Sequence, residues 1–194
     1  MAILAKEGEK REFLLVPAGT HQAVCYGVWD IGLQKTIWNN AEKIQHKVIV
    51  AFEINEQIPS GEYVGKRFTV SKRYTLSLGD KANLRKDLES WRGKAFTIEE
   101  LKGFDIEKLI GINAMVSVVH NEVRNEKGTR FYANIVSVSK LMKGVMPMKP
   151  ENEPKPPEWV TKLQAAAIEE VAEGGEPEQA ETAGGGEGEE PLPF

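Results

Sequence analysis

The sequence predicts a mainly β protein with an acidic tail, and three observations carry that expectation. Stretches suited to a pleated surface recur five times before residue 142. One interval of helical periodicity falls between the third and the fourth. Beyond Pro150 the chain holds twelve glutamates against Lys155 and Lys162, a net charge of −10. Met1 to Pro150 holds 23 Lys and Arg against 17 Asp and Glu, a net of +6. The overall charge of −4 therefore conceals a basic body and an acidic end. Such asymmetry points to nucleic acid at one end and regulated electrostatics at the other.

The elements follow in order. Residues 1–18 form a polar N-terminal arm, loose at least through residue 12. Thr20 to Ile31 carries Ala23, Val24, Tyr26, Val28, Trp29 and Ile31, types that favour a strand. Residues 33–45 break the pattern around Asn39-Asn40 and read as a long loop. His46 to Ile54 alternates, with Val48, Val50, Phe52 and Ile54 on one face. Lys66 to Thr75 is a third strand, with Phe68, Val70 and Tyr74 opposite Arg67, Thr69, Ser71 and Arg73. Leu84, Leu88 and Trp91 then recur at helical spacing up to Gly93. Thr97-Ile98-Glu99-Glu100 reads as a capping box, and Asp105 to Ile110 as a short helix stopped by Gly111. Ile112 to His120 is the fourth strand, Asn121 to Gly128 a polar loop, and Thr129 to Leu141 the fifth strand. Five strands with a helix between the third and fourth are the element order of the OB-fold, a five-stranded Greek-key barrel. That domain is expected to span residues 19–146.

Residues 147–190 read as linker and tail. Pro147, Pro150, Pro154, Pro156 and Pro157 fall within eleven residues and predict an extended spacer. A helix is predicted over 158–173, with Val160, Leu163, Ala167 and Val171 on one stripe. From Gly174 the composition of Gly, Glu, Ala and Pro cannot bury enough surface to fold. The last four residues, 191–194, recover apolar character and form a separate tip.

Several function classes find no support. The single cysteine, Cys25, allows no intrachain disulfide and fits a reducing cytoplasm. The N-terminus lacks an apolar stretch of the signal-peptide kind, and no apolar run approaches 18 residues, so no membrane association is expected. His21, His46 and His120 are scattered, no Cys or His pair has metal spacing, and there is no P-loop. No enzymatic activity, metal or cofactor is expected.

The tip places glutamates before Pro191-Leu192-Pro193-Phe194, whose last ring also bears the α-carboxylate. A partner protein can seat the ring in a pocket and hold the carboxylate with cations or backbone N–H groups. Glu189-Glu190-Pro191-Leu192-Pro193-Phe194 resembles the ending of bacterial and phage single-stranded DNA-binding proteins, with Leu192 where that family usually has Ile. It departs in having Glu and an extra Pro where the family usually has Asp. The resemblance implies that Leu192, Pro193 and Phe194 recruit replication, recombination and repair proteins.

A second resemblance covers residues 19–144. The runs Ala23-Val24-Cys25-Tyr26-Gly27-Val28, Leu84-Arg85-Lys86-Asp87-Leu88-Glu89-Ser90-Trp91-Arg92-Gly93-Lys94-Ala95-Phe96 and Tyr132-Ala133-Asn134-Ile135 are similar to a phage and prophage family. Its members are usually labelled replication initiation or single-stranded DNA-binding proteins. The resemblance implies an OB-fold acting in the cytoplasm, that of the bacterial host for a phage protein. An exposed barrel edge would serve either pairing into a homo-oligomer or DNA.

Non-specific single-strand binders combine cations for phosphates with aromatic platforms for bases. On that basis the candidates are Tyr26, Lys35, Trp38, Lys47, Arg67, Lys72, Arg73, Tyr74, Arg124, Arg130 and Tyr132. Trp38 reads either as a stacking platform or as a loop anchor folded back on the barrel. Alternation puts Arg73 and Tyr74 on opposite faces, whereas Arg130 and Tyr132 share one. Phe52, Phe68 and Trp91 are assigned to the core. The alternative function is a replication initiator or recombination mediator that recognises a specific DNA structure, and a third is a protein adaptor without DNA affinity.

Overall fold

The computed structural model describes residues 14–38, 41–125 and 128–167. Its strands are β1 (Gly19–Trp38), β2 (Ala41–Gln57), β3 (Arg67–Thr75), β4 (Asn113–Asn125) and β5 (Gly128–Lys140). Helix α1 (Asn83–Arg92), helix α2 (Ile98–Leu101) and a 3₁₀ turn (Ile106–Leu109) lie between β3 and β4, and α3 (Glu158–Ala165) follows β5. The strands form one antiparallel sheet in the order β3-β2-β1-β4-β5. The sheet is open, and its two edge strands, β3 and β5, approach each other without a ladder between them.

Strand periodicity sets the two faces. The inner face of β2 presents Val48, Val50, Phe52 and Ile54, all enclosed by the helical layer and the opposite strands. Helix α1 buries Leu84, Leu88 and Trp91 against it, and the Phe52 and Trp91 rings meet at 5.2 Å. Burial of such side chains is worth about 1.5–3 kcal/mol each. The Trp91 indole N–H is satisfied by the Asn113 carbonyl at 2.8 Å. Gly93 closes the helix in the left-handed conformation (φ 69°), and Thr97 and Glu100 form the predicted capping box on α2.

The outer face of β1 and β2 carries a second apolar cluster of Trp29, Ile31, Ile49 and Ala51. Two bulges, between Cys25 and Gly27 and between Asp30 and Gly32, bend β1 across it. The Trp29 ring folds back over Gly27, where a Cβ would stand 2.4 Å from the indole, so only glycine fits there.

Both long hairpins outrun the sheet. β1 and β2 remain paired from Gly32–Lys47 to Trp38–Ala41, although β4 reaches β1 only at residues 19–24 and β3 reaches β2 only from Lys47 onward. β4 and β5 likewise stay paired out to Asn125–Gly128, beyond the last β1 partner at Val118. The result is two two-stranded arms leaving opposite ends of β1. The expected loops at 33–45 and 121–128 are thus mostly strand. Main-chain pairing overrides weak side-chain patterning there, helped in the first arm by a Lys35–Glu42 ion pair of 2.6 Å.

The expected spacer after residue 146 differs more. Residues 146–164 cross the outer face as a strap. Val160 of α3 is fully enclosed by Trp29, Ile31, Ile49 and Ala51, flanked by Trp159 and Leu163. The prolines hold the strap extended, and the sheet supplies its hydrogen-bond partners. Helix α3 ends at Ala165, short of the expected 173. Residues 168–173, the N-terminal arm through residue 13, the tail from Gly174 and the tip 191–194 lie outside the described residues. Among the described residues no helix is long and apolar enough to cross a membrane.

Candidate nucleic-acid interface

The structure distributes the candidate residues over three environments. Lys72 and Tyr74 face inward from β3 and are buried. Lys72 pairs with Asp87 at 3.0 Å, and the Tyr74 hydroxyl donates to the same carboxylate at 2.7 Å. These two residues hold α1 to β3 and present nothing to an external ligand.

Tyr26, Arg67, Arg73 and Lys47 sit on the outer side of β1–β3, where Tyr26, Arg67 and Arg73 are half-buried. The Tyr26 ring meets Trp29 edge-on at 5.6 Å. Burial, reinforced by the nearby Glu53 charge and partly offset by a hydrogen bond with Thr69, pushes the Tyr26 phenol up to about 12. Arg67 donates to the Lys149 carbonyl at 2.8 Å and pairs with Glu151 at 2.9 Å and Glu53 at 3.5 Å. Arg73 shares the outward register of Arg67, opposite to Tyr74, as alternation requires.

Glu53 organises this face, and sequence reasoning assigned it no role. Its side chain is 0% exposed. Its carboxylate accepts from the Glu151 amide at 2.9 and 3.0 Å and from the Asn152 amide at 2.5 Å. A signal existed: β2 is apolar on both faces from Val48 to Ile54, and Glu53 is the one charge within it. Other side chains extend the grip on the strap. Asn113 donates to the Met148 carbonyl and accepts from the Met148 amide, both at 2.8 Å. The Trp29 indole donates to the Pro154 carbonyl at 3.1 Å, and Gln22 donates to the Met146 carbonyl at 2.7 Å. Gln34 donates to the Leu163 carbonyl at 3.2 Å, and Gln164 to the Asp30 carbonyl at 2.8 Å. Hydrogen bonds to a charged group contribute about 1.5–3 kcal/mol each. Burial of Val160 adds about as much again.

The third environment is the arms. Lys35 and Arg124 are exposed, paired on their own arms with Glu42 and Glu122. Trp38 ends β1 opposite Ala41, with its side chain outside the described residues. On the other arm Arg130 pairs across from Val123 and Tyr132 from Asn121, so Arg130 and Tyr132 share a side. Phe131 takes the opposite side and is 56% exposed, a large ring open to solvent. Arg130 is exposed and Tyr132 half-buried. Solvated cations beside accessible rings can engage phosphates and stack bases. Among the described residues no group of His, Cys, Asp and Glu is arranged to hold a metal ion. The tip residues Leu192, Pro193 and Phe194 lie outside the described residues.

No family model matches this chain, and no curated protein is similar to it at the level at which relatedness is accepted.

Proposed function

We propose that this protein binds single-stranded DNA without sequence preference, in phage or bacterial replication, recombination or repair. Its body is read as an OB-fold. The acidic tail is read as the recruiter of partner proteins, through Leu192, Pro193 and Phe194. The observation that supports this reading most is the strand order β3-β2-β1-β4-β5 with α1 between β3 and β4 and two projecting hairpins. OB-folds engage oligonucleotides with the β1–β2 and β4–β5 loops and the face of strands 2 and 3. Here the β4–β5 hairpin carries Arg124, Arg130, Phe131 and Tyr132, and the β1–β2 hairpin carries Lys35 and Lys43. The division of charge, a basic body and an acidic end, suits a polyanionic ligand on the body alone.

A salt titration of binding to a labelled dT oligomer, with matched duplex as competitor, tests the proposal. Tight binding, weak duplex competition and a log–log salt slope near −0.7 per phosphate contacted are expected. Absence of binding at low salt would sink the reading. Equal preference for duplex would move the weight to an initiator that recognises a defined DNA structure.

A further inference from the structure

We propose that the outer face of β1–β3 is a receptor for the protein's own residues 146–164, keyed by Glu53 and closed to nucleic acid, so that single strands are confined to the two arms. The confinement rests on the single-strand reading; the receptor assignment does not.

The chemistry of the face selects main chain. Glu53 is an acceptor-only group that takes two successive backbone N–H donors, Glu151 and Asn152. A phosphodiester has no donor to offer and brings a like charge. Arg67, the cation beside Glu53, is already shared between two carboxylates and the Lys149 carbonyl. Asn113 reads both the N–H and the C=O of Met148, as a neighbouring strand would. The Trp29 indole N–H points at a carbonyl of the strap, so the largest ring on this face is turned to a peptide. A nucleic acid that displaced the strap would meet the buried Glu53 carboxylate, held by Arg67, beside the apolar side chains of Trp29, Ile31, Ile49 and Ala51. The part of an OB sheet that usually takes the bases is here reserved in cis, and the arms remain.

Hydrogen exchange at the Glu151 and Asn152 amides of the full chain tests this, with and without a saturating dT oligomer. Both amides are expected to be slow, and equally slow with DNA bound, while amides of the β4–β5 arm respond. Loss of protection at the pair on dT binding would overturn the closure and make the strap a displaceable lid. Glu53→Gln, which keeps one acceptor, is expected to speed exchange at the pair about tenfold, and Glu53→Leu about a hundredfold. Amides of α1 should be unchanged, which reports that the fold survives. If Leu unfolds the chain, the Gln variant decides. Unchanged exchange at the pair in an intact variant would overturn Glu53 as the key. Should dT fail to bind, the single-strand reading and the confinement to the arms both fall, and the Glu53 variants alone judge the receptor.

Discussion

Lys72 Nζ lies 3.0 Å from Asp87 Oδ2 in the interior of the body, and the Tyr74 hydroxyl reaches the same oxygen at 2.7 Å. One carboxylate on α1 thereby satisfies two polar groups that β3 turns inward. Removing one member of a buried pair strands the other, at a cost of about 3–5 kcal/mol. Asp87→Ala should lower the urea midpoint accordingly. The double variant Lys72→Met with Asp87→Leu should recover most of the loss. A full-size effect that persists in the double variant would show that packing, not the ion pair, matters at this site.

Cys25 is fully enclosed in β1, and burial pushes its thiol from 9.0 up to about 12, partly offset by a backbone hydrogen bond at Gly27. Below pH 9 the thiol is neutral folded and unfolded, so it contributes no pH dependence. Between 9 and about 12 the unfolded chain ionises and the folded one does not, so stability falls as pH rises. Tyr26 acts in the same direction from 10.0 to about 12. Chemical denaturation at pH 8, 10 and 11 should show this decline, reduced in Tyr26→Phe. At pH 8 a thiol-specific chromophoric reagent should label Cys25 only as fast as the chain opens. Labelling within seconds in native buffer would contradict the burial.

The strap makes a length series informative. A chain ending after Ala167 should melt with the intact protein. A chain ending after Val145 uncovers Trp29, Ile31 and Ile49 and leaves Glu53 without its amides. It should lose at least about 3 kcal/mol or fail to fold. Equal melting temperatures for the two would reduce the strap to a passenger.

The arms predict a graded loss of DNA affinity. Arg124→Ala and Arg130→Ala should each flatten the salt slope by about 0.7 and weaken binding to every sequence alike. Tyr132→Ala should cost about 1–3 kcal/mol if it stacks a base. Lys102→Ala, on the exposed end of α2, serves as control. An unaltered slope in both arginine variants would exclude the β4–β5 arm from the interface.

The element order was legible because inner-face residues alternate cleanly: Val48, Val50, Phe52 and Ile54, or Leu84, Leu88 and Trp91, state their period outright. The arms were less so. Residues 33–37 and 41–46 lack a buried face, and pairing there is written in main-chain hydrogen bonds that leave little trace in side-chain type. The strap was hidden for a different reason. Five prolines and a run of polar residues describe an extended chain equally well in solvent or on a protein surface. What distinguishes the two is a set of partners remote in sequence: Glu53 is 98 positions from Glu151 and Trp29 125 from Pro154, with Asn113 nearer, 35 from Met148. Lys72 and Tyr74 read as ligand contacts in the sequence because Lys-Arg-Tyr is basic and aromatic. Their inward register is shared with Phe68 and Val70, and Asp87, which makes that register tolerable, is fifteen residues from Lys72.

Trp29 and Pro154 are 125 positions apart, so a ribosome adding roughly 5–20 residues each second leaves the outer surface of β1 without its cover for something on the order of ten seconds. During that interval the nascent chain displays Trp29, Ile31 and Ile49 uncovered, the sheet itself being complete only once Lys140 has been made. Newly made copies on one messenger would be the nearest surfaces able to adhere to it. Faster elongation or a chaperone that favours aromatic-rich strands should therefore raise the soluble yield, whatever ligand the mature protein binds.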